Sequence, residues 1–245
     1  MEVHDTNRSL AELNVWRARM QRKPGFFNKL SKRVQTRVNK LIPEKLHLAI
    51  TKLLKEMIKG VLFGAGAITG KPQPFENLAA TEKAVLKKIE VYKKTGAVEG
   101  GLTGAGGFLW GLADFPLLLS IKIKMLFDIA AQYGFDTGDY KERVYLLHIF
   151  EIAFCSDEHR NLVYNKMVDW KQKAAILPSD INQFDWRKLQ QEYRDYIDLA
   201  KMAQLIPVIG AAVGLIANWK LLQKLGTTAM NAYRMRLLED GKLSL

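Results

Sequence analysis

Four residues able to do chemistry recur at short intervals in the middle of the chain: His148, Glu151, Cys155 and His159, spaced three, four and four apart. On one unbroken helix they would share a face, and a thiol one turn from an imidazole is the pairing that activates a cysteine nucleophile. The stripe would run about 16 Å at 1.5 Å per residue, too far for its four members to close on one metal ion. Ser156-Asp157-Glu158 has the composition of a helix start and breaks the helix between Cys155 and His159. A buried structural cysteine with surface histidines accounts for the pattern better than a nucleophile and its base. No Walker loop, His-Glu-x-x-His, Gly-x-Ser-x-Gly or paired-cysteine spacing occurs elsewhere. The sequence therefore names no catalytic residue, no metal site and no cofactor. A hydrolase or peptidase with an unplaced active site stays open as an alternative, with Cys155 its least poor nucleophile.

The elements that would hold such groups are dominated by two glycine-laced apolar stretches, Gly100 to Pro116 and Ile206 to Trp219. Glycine inside a helix costs about 1 kcal/mol relative to alanine, so its clustering needs a return, usually close approach of two backbones. Small residues recur at four-residue spacing in Gly100/Gly104, Gly107/Gly111 and Gly210/Gly214. These positions are read as helix-packing residues. Asp114 and Asn218 belong with them, because a polar group in apolar surroundings needs a partner. A hydrogen bond between the two glycine-rich helices, or a cap on the helix at Pro116, would supply it. Met202 to Trp219 is free of charge but contains Gln204, Pro207 and Asn218, and the earlier stretch holds Asp114. Both fall short of a membrane span. Packing in a soluble core is the favoured reading, and a hairpin that rearranges into lipid is the alternative.

Helical spacing extends over the rest of the chain. Leu10, Leu13, Trp16 and Met20 share one face of a first helix that Pro24-Gly25 ends. Phe26 to Ile42 places Phe27, Leu30, Val34, Val38 and Leu41 at helical spacing among cations, with no acid. Pro43-Glu44 opens a third helix reaching about Leu62, and Lys71-Pro-Gln-Pro74 is a break. Further helices are expected over Thr81 to Lys94, Leu117 to Tyr133, Tyr140 to Cys155, 157 to 175, Phe184 to Leu205 and Ile206 to Arg236. No alternating run is long enough for a sheet. The expected fold is an all-α, single-domain bundle of about eight to ten helices, with the glycine-rich pair at its centre. Its parts are an amphipathic N-terminal helix over 1–24, a helical domain over 25–238 and a short tail over 239–245.

Charge gives the strongest functional signal. The net charge is +12, and residues 1–60 hold 14 Lys or Arg against five Asp or Glu, so the positive field is an N-terminal property. Arg17, Arg19, Arg22, Lys23, Lys29, Lys32, Arg33, Arg37 and Lys40 would attract an anionic surface, and Trp16, Phe26 and Phe27 would insert into it. Ordinary helices with solvated basic faces explain the same residues without a partner. Nucleic acid is disfavoured, since no binding motif or aromatic platform accompanies the charge. The expected partners are a membrane surface or a membrane protein, with a lipid as ligand; the oligomeric state is not legible. Cys155 is the sole cysteine, which excludes an internal disulfide and fits a reducing compartment. The first residues lack the apolar core of a secretory signal. A cytoplasmic location follows, at the inner membrane face if the basic region engages lipid.

Several segments carry a resemblance. They are Trp110-Gly-Leu-Ala-Asp114-Phe-Pro116, Ala130-Ala-Gln-Tyr-Gly-Phe-Asp136, Glu142-Arg143-Val-Tyr-Leu-Leu, and Leu205-Ile-Pro-Val-Ile-Gly-Ala-Ala-Val-Gly-Leu-Ile-Ala-Asn218, followed by Gly226 and Tyr233-Arg234. In their order they resemble the EcsC family, named after a protein encoded beside the components of a bacterial ABC transporter. The likeness spans about Leu41 to Arg236 and leaves the first helix and the tail outside. It implies an α-helical, membrane-associated bacterial protein. It brings no established reaction, so a soluble scaffold acting on a transporter subunit is a further reading.

Overall fold

Apolar side chains recur every three or four positions along the chain, and the backbone answers with helix. The computed structural model describes residues 2–22, 44–63, 70–104, 108–197 and 210–243. Among them lie nine α-helices: α1 (Glu2–Gln21), α2 (Glu44–Phe63), α3 (Leu78–Gly104), α4 (Phe108–Gln132), α5 (Tyr140–Phe154), α6 (Arg160–Met167), α7 (Trp170–Ala175), α8 (Trp186–Tyr196) and α9 (Gly210–Glu239). A 3-10 turn, Ile181–Gln183, precedes α8. No described residue belongs to a strand.

The longest helices, α3 and α9, form an antiparallel pair. A Cβ on Gly226 would stand 2.7 Å from Ile89 Cδ1, and one on Gly96 would stand 2.7 Å from Leu222 Cδ1 and 2.9 Å from Asn218 Nδ2. A side chain at either crossing would force its neighbours to move, the branched Ile89 less readily than the ends of Leu222 and Asn218. Helix α4 packs on both members of the pair, and α5 packs against α9 and α2. Every residue of α5 except Lys141 is buried, as befits a helix enclosed on all sides. Helix α1 lies against α3, α6 and α9 through Leu10, Leu13 and Met20. Helix α2 bridges α4, α5 and α8.

Several expected boundaries move. The helix expected to end near Lys94 continues to Gly104, so Gly100 and Gly104 form its last turn. Pro116 lies inside α4 rather than at a helix start. The segment 157–175 divides at Val168-Asp169, where Asp169 takes a φ of 52° and the Glu239 carboxylate accepts from the N–H groups of Asp169 and Trp170. Of Phe184 to Leu205, the described helix covers Trp186–Tyr196. At the C-terminus Gly241, at φ 69°, turns the chain back so that Leu243 packs on the core. Gly134, at φ 85°, closes the end of α4, where a Cβ would meet the Gln73 carbonyl at 3.0 Å.

Candidate functional site

Of the stripe of His148, Glu151, Cys155 and His159, only His148 and Glu151 stay together. Helix α5 ends at Phe154 and Cys155 is extended, which removes His159 from the shared face. His148 Nδ1 lies 3.0 Å from Glu151 Oε2, both buried, and Lys166 Nζ stands 3.5 Å from the other Glu151 oxygen. His159 bonds Ser156 Oγ at 2.8 Å and stacks on Tyr196. The Cys155 thiol is buried and donates to the Ile152 carbonyl. Among the described residues no group of three His, Cys, Asp or Glu is placed to hold a metal ion.

A different set of residues meets inside the glycine-rich pair. Lys122, on the face of α4 shared by Leu118, Met125 and Leu126, is fully buried. Its Nζ donates to Asn218 Oδ1 at 2.6 Å and to the Leu118 carbonyl at 3.2 Å. Asn218 Nδ2 in turn donates to the Gly96 carbonyl at 2.5 Å. One chain of polar contacts thus ties α4 to α9 and α9 to α3 at the Gly96 crossing. Burial pushes the Lys122 ammonium down from 10.5 to about 7, since the charged form loses its hydration. The amine is a buried group poised to gain or lose a proton near neutrality, linking three helices. One turn away, Lys93 donates to Gln223 Oε1 at 2.6 Å, pairs with Glu90 and lies over the Trp219 ring.

Toward the other end of the pair, buried ions replace this single amine. Arg234 grips Glu82 through two bonds of 2.6 and 2.8 Å, and Ser9 and Glu12 join from α1. Tyr233 and Arg236 both donate to Glu142, at 2.9 and 3.0 Å. Burial raises the Glu142 carboxyl against the opposing pull of Arg236 and Tyr233. Arg143 donates to the carbonyls of Leu62, Thr137 and Gly138, pinning the end of α2 to the turn before α5.

The expected site residues fall as follows. Asn218 bonds Gly96 on α3 and Lys122 on α4, both outside the Gly100 to Pro116 stretch. Gly100, Gly104, Gly111, Asp114, Gly210 and Gly214 lie within described helices whose side chains at those positions are not described. Gly107, Lys23, Phe26, Phe27, Lys29, Lys32, Arg33, Arg37 and Lys40 lie outside the described residues. Arg19 and Arg22 are exposed. Arg17 donates to Tyr164 Oη at 3.4 Å, and Trp16 meets the same ring edge-on at 5.8 Å. Insertion of Trp16 into lipid would cost α1 that contact.

Sequence reasoning missed Lys122, although its place one turn from Leu118 and three residues before Met125 marked it as facing the core. It also missed an exposed row along α2 in which Leu48, Lys52, Lys55, Lys59 and Phe63 follow at helical steps. The two apolar members are 66% and 46% exposed. Among the described residues no helix is long and apolar enough to cross a membrane.

The EcsC protein family matches residues 7–238. Protein EcsC of Bacillus subtilis (strain 168) is 44% identical over 238 residues, covering 96% of this chain and 98% of its own. The uncharacterised protein YdbA of the same organism is 29% identical over 252 residues, covering 95% of this chain and 92% of its own. No solved structure matches. The matched span begins inside α1, so the first helix falls within the likeness rather than outside it.

Proposed function

The chain belongs to the EcsC protein family, and from that premise and its layout of charge we propose that it is a peripheral protein of the inner face of the bacterial membrane, held by its basic N-terminal region on anionic lipid. The carrying observation is the row along α2. Lys52, Lys55 and Lys59 stand exposed between exposed Leu48 and Phe63, with Glu56 the one acid beside them. Cations flanked by apolar residues suit the boundary between headgroups and acyl chains, where ammonium groups meet phosphate and the apolar ends enter the hydrocarbon. The excess of 14 cations over five acids in residues 1–60 supplies the longer-range attraction.

The test is vesicle flotation with neutral and anionic liposomes across a salt series. Wild type should float with anionic vesicles and be released by salt. Replacing Lys52, Lys55 and Lys59 by Gln should weaken binding by about 3 kcal/mol, at about 1 kcal/mol per near-surface cation. Neutralising Lys29, Lys32, Arg33, Arg37 and Lys40 should weaken it further. Failure of wild type to float with anionic vesicles at low salt overturns the reading. Recruitment only to vesicles that contain an integral transporter component moves the site from lipid to protein.

A further inference from the structure

Helices α2 and α8 enclose a groove of about 310 Å³, at the small end of the range occupied by ligand pockets. Each wall is one helical face at steps of three, one and three residues. From α8 come Arg187, Gln190, Gln191 and Arg194, and from α2 come Thr51, Leu54, Lys55 and Ile58. No acid lines it. Among the described residues, no carboxylate forms an ion pair with Lys55 or Arg187, and Arg194 meets only its exposed neighbour Asp195, at 3.2 Å. Buried Leu54 and Ile58 make an apolar floor, completed by Tyr193, which is held by its hydroxyl bond to the Leu147 carbonyl.

Two guanidinium groups and an ammonium around an apolar floor match a phosphate joined to an aliphatic chain. Arginine meets phosphate oxygens through two parallel N–H bonds, and the floor takes the first carbons beyond the ester. Lys55 belongs both to this groove and to the exposed row on α2, so the groove opens beside the surface assigned above to the membrane. We propose that the groove is a headgroup site for an anionic phospholipid, with Arg187 and Arg194 on the phosphate and Leu54 and Ile58 under the start of an acyl chain. This rests on the membrane-surface reading, because the groove's place beside the α2 row selects a lipid over a water-soluble phosphate ester.

The test titrates the full chain with dihexanoyl phosphatidylglycerol below its micelle concentration, followed by calorimetry. Dihexanoyl phosphatidylcholine and glycerol phosphate serve as comparisons, and vesicle flotation runs in parallel. The short anionic lipid should bind saturably and about tenfold more tightly than either comparison. The pair Arg187→Gln and Arg194→Gln, both at exposed positions, should weaken that binding about a hundredfold while leaving the thermal melt unchanged. Glycerol phosphate binding as tightly as the lipid would overturn the lipid assignment. So would a short lipid that fails to saturate, or a double variant that binds like wild type. If wild type floats with anionic vesicles while the short lipid does not bind, the groove inference fails and the surface reading stands; if neither occurs, both fail.

Discussion

Replacing Lys122 by methionine keeps the volume of a buried chain and removes its amine. The fall of the ammonium from 10.5 to about 7 corresponds to roughly 5 kcal/mol at 1.36 kcal/mol per pH unit. The unfolded chain keeps this proton up to about pH 10.5, whereas the folded protein releases it above about pH 7. In that window the unfolded state binds more protons, so this group makes stability rise with pH. Below the window the fold carries the full cost of a buried ammonium, and above it none. Methionine carries no such cost at any pH, but it leaves Asn218 Oδ1 without the donor now 2.6 Å away, a loss of about 1–3 kcal/mol. The variant should therefore be the more stable protein by about 2–4 kcal/mol near pH 6 and the less stable by about 1–3 kcal/mol near pH 10.5. Urea unfolding of both proteins across that range, followed by circular dichroism, measures the difference; titrations common to both cancel. A variant less stable by the same amount at every pH would refute the reasoning, because the lysine would then be held by an anion within the fold.

Gly226→Ala drives a methyl into the stiff, branched Ile89 and should destabilise the fold by about 1–2 kcal/mol, after allowing for alanine's better helix propensity. In an Ile89→Ala background that cost should vanish, and a cost that persists would place the clash elsewhere. Arg234→Met strands the buried Glu82 carboxylate and should cost about 3–5 kcal/mol in denaturant unfolding, with part recovered by adding Glu82→Gln. A loss under about 1 kcal/mol would mean that Glu82 is well solvated without its partner.

The helices were legible because each buries a stripe that repeats along the sequence. Leu10, Leu13 and Met20 on α1, and Val85 and Ile89 on α3, are buried as their spacing requires. The break after Cys155 was legible from Ser156-Asp157. A paired glycine helix was expected as well, but the tight crossings that the structure describes fall at Gly96 and Gly226. Gly96 stands four residues ahead of Gly100 and Gly104 and so extends their spacing, whereas Gly226 stands apart from any such run; only the register of the partner helix brings Asn218, Leu222 and Ile89 against them. The ion bridges were hidden for a similar reason. Tyr233-Arg-Met-Arg236 looks like a solvated basic helix end, and its partners Glu82 and Glu142 stand 152 and 94 residues away from Arg234 and Arg236. Charge in sequence does not say which way a side chain turns. Trp16 shows the converse, since an aromatic suited to a lipid surface is equally suited to the ring of Tyr164.

The two ends of the α3–α9 pair are secured by different chemistry, and the difference bears on which end can open. At Glu82 and Glu142 each arginine meets a carboxylate, and the rings of Tyr133, Tyr233, Phe135 and Tyr145 pack around them. Separating the helices there would expose aromatic surface and strand buried ions. At Gly96 the described bridge is an amine, an amide and a carbonyl, with Lys93 held alongside, and protonation of Lys122 works against its burial. Local opening follows the lowest cost, and among the described contacts the Gly96 end strands fewer buried ions than the Glu82 end. Helix α4 carries Lys122 and also packs on α2, so the bridge at Gly96 is joined through one helix to the element whose outer row faces the proposed lipid surface.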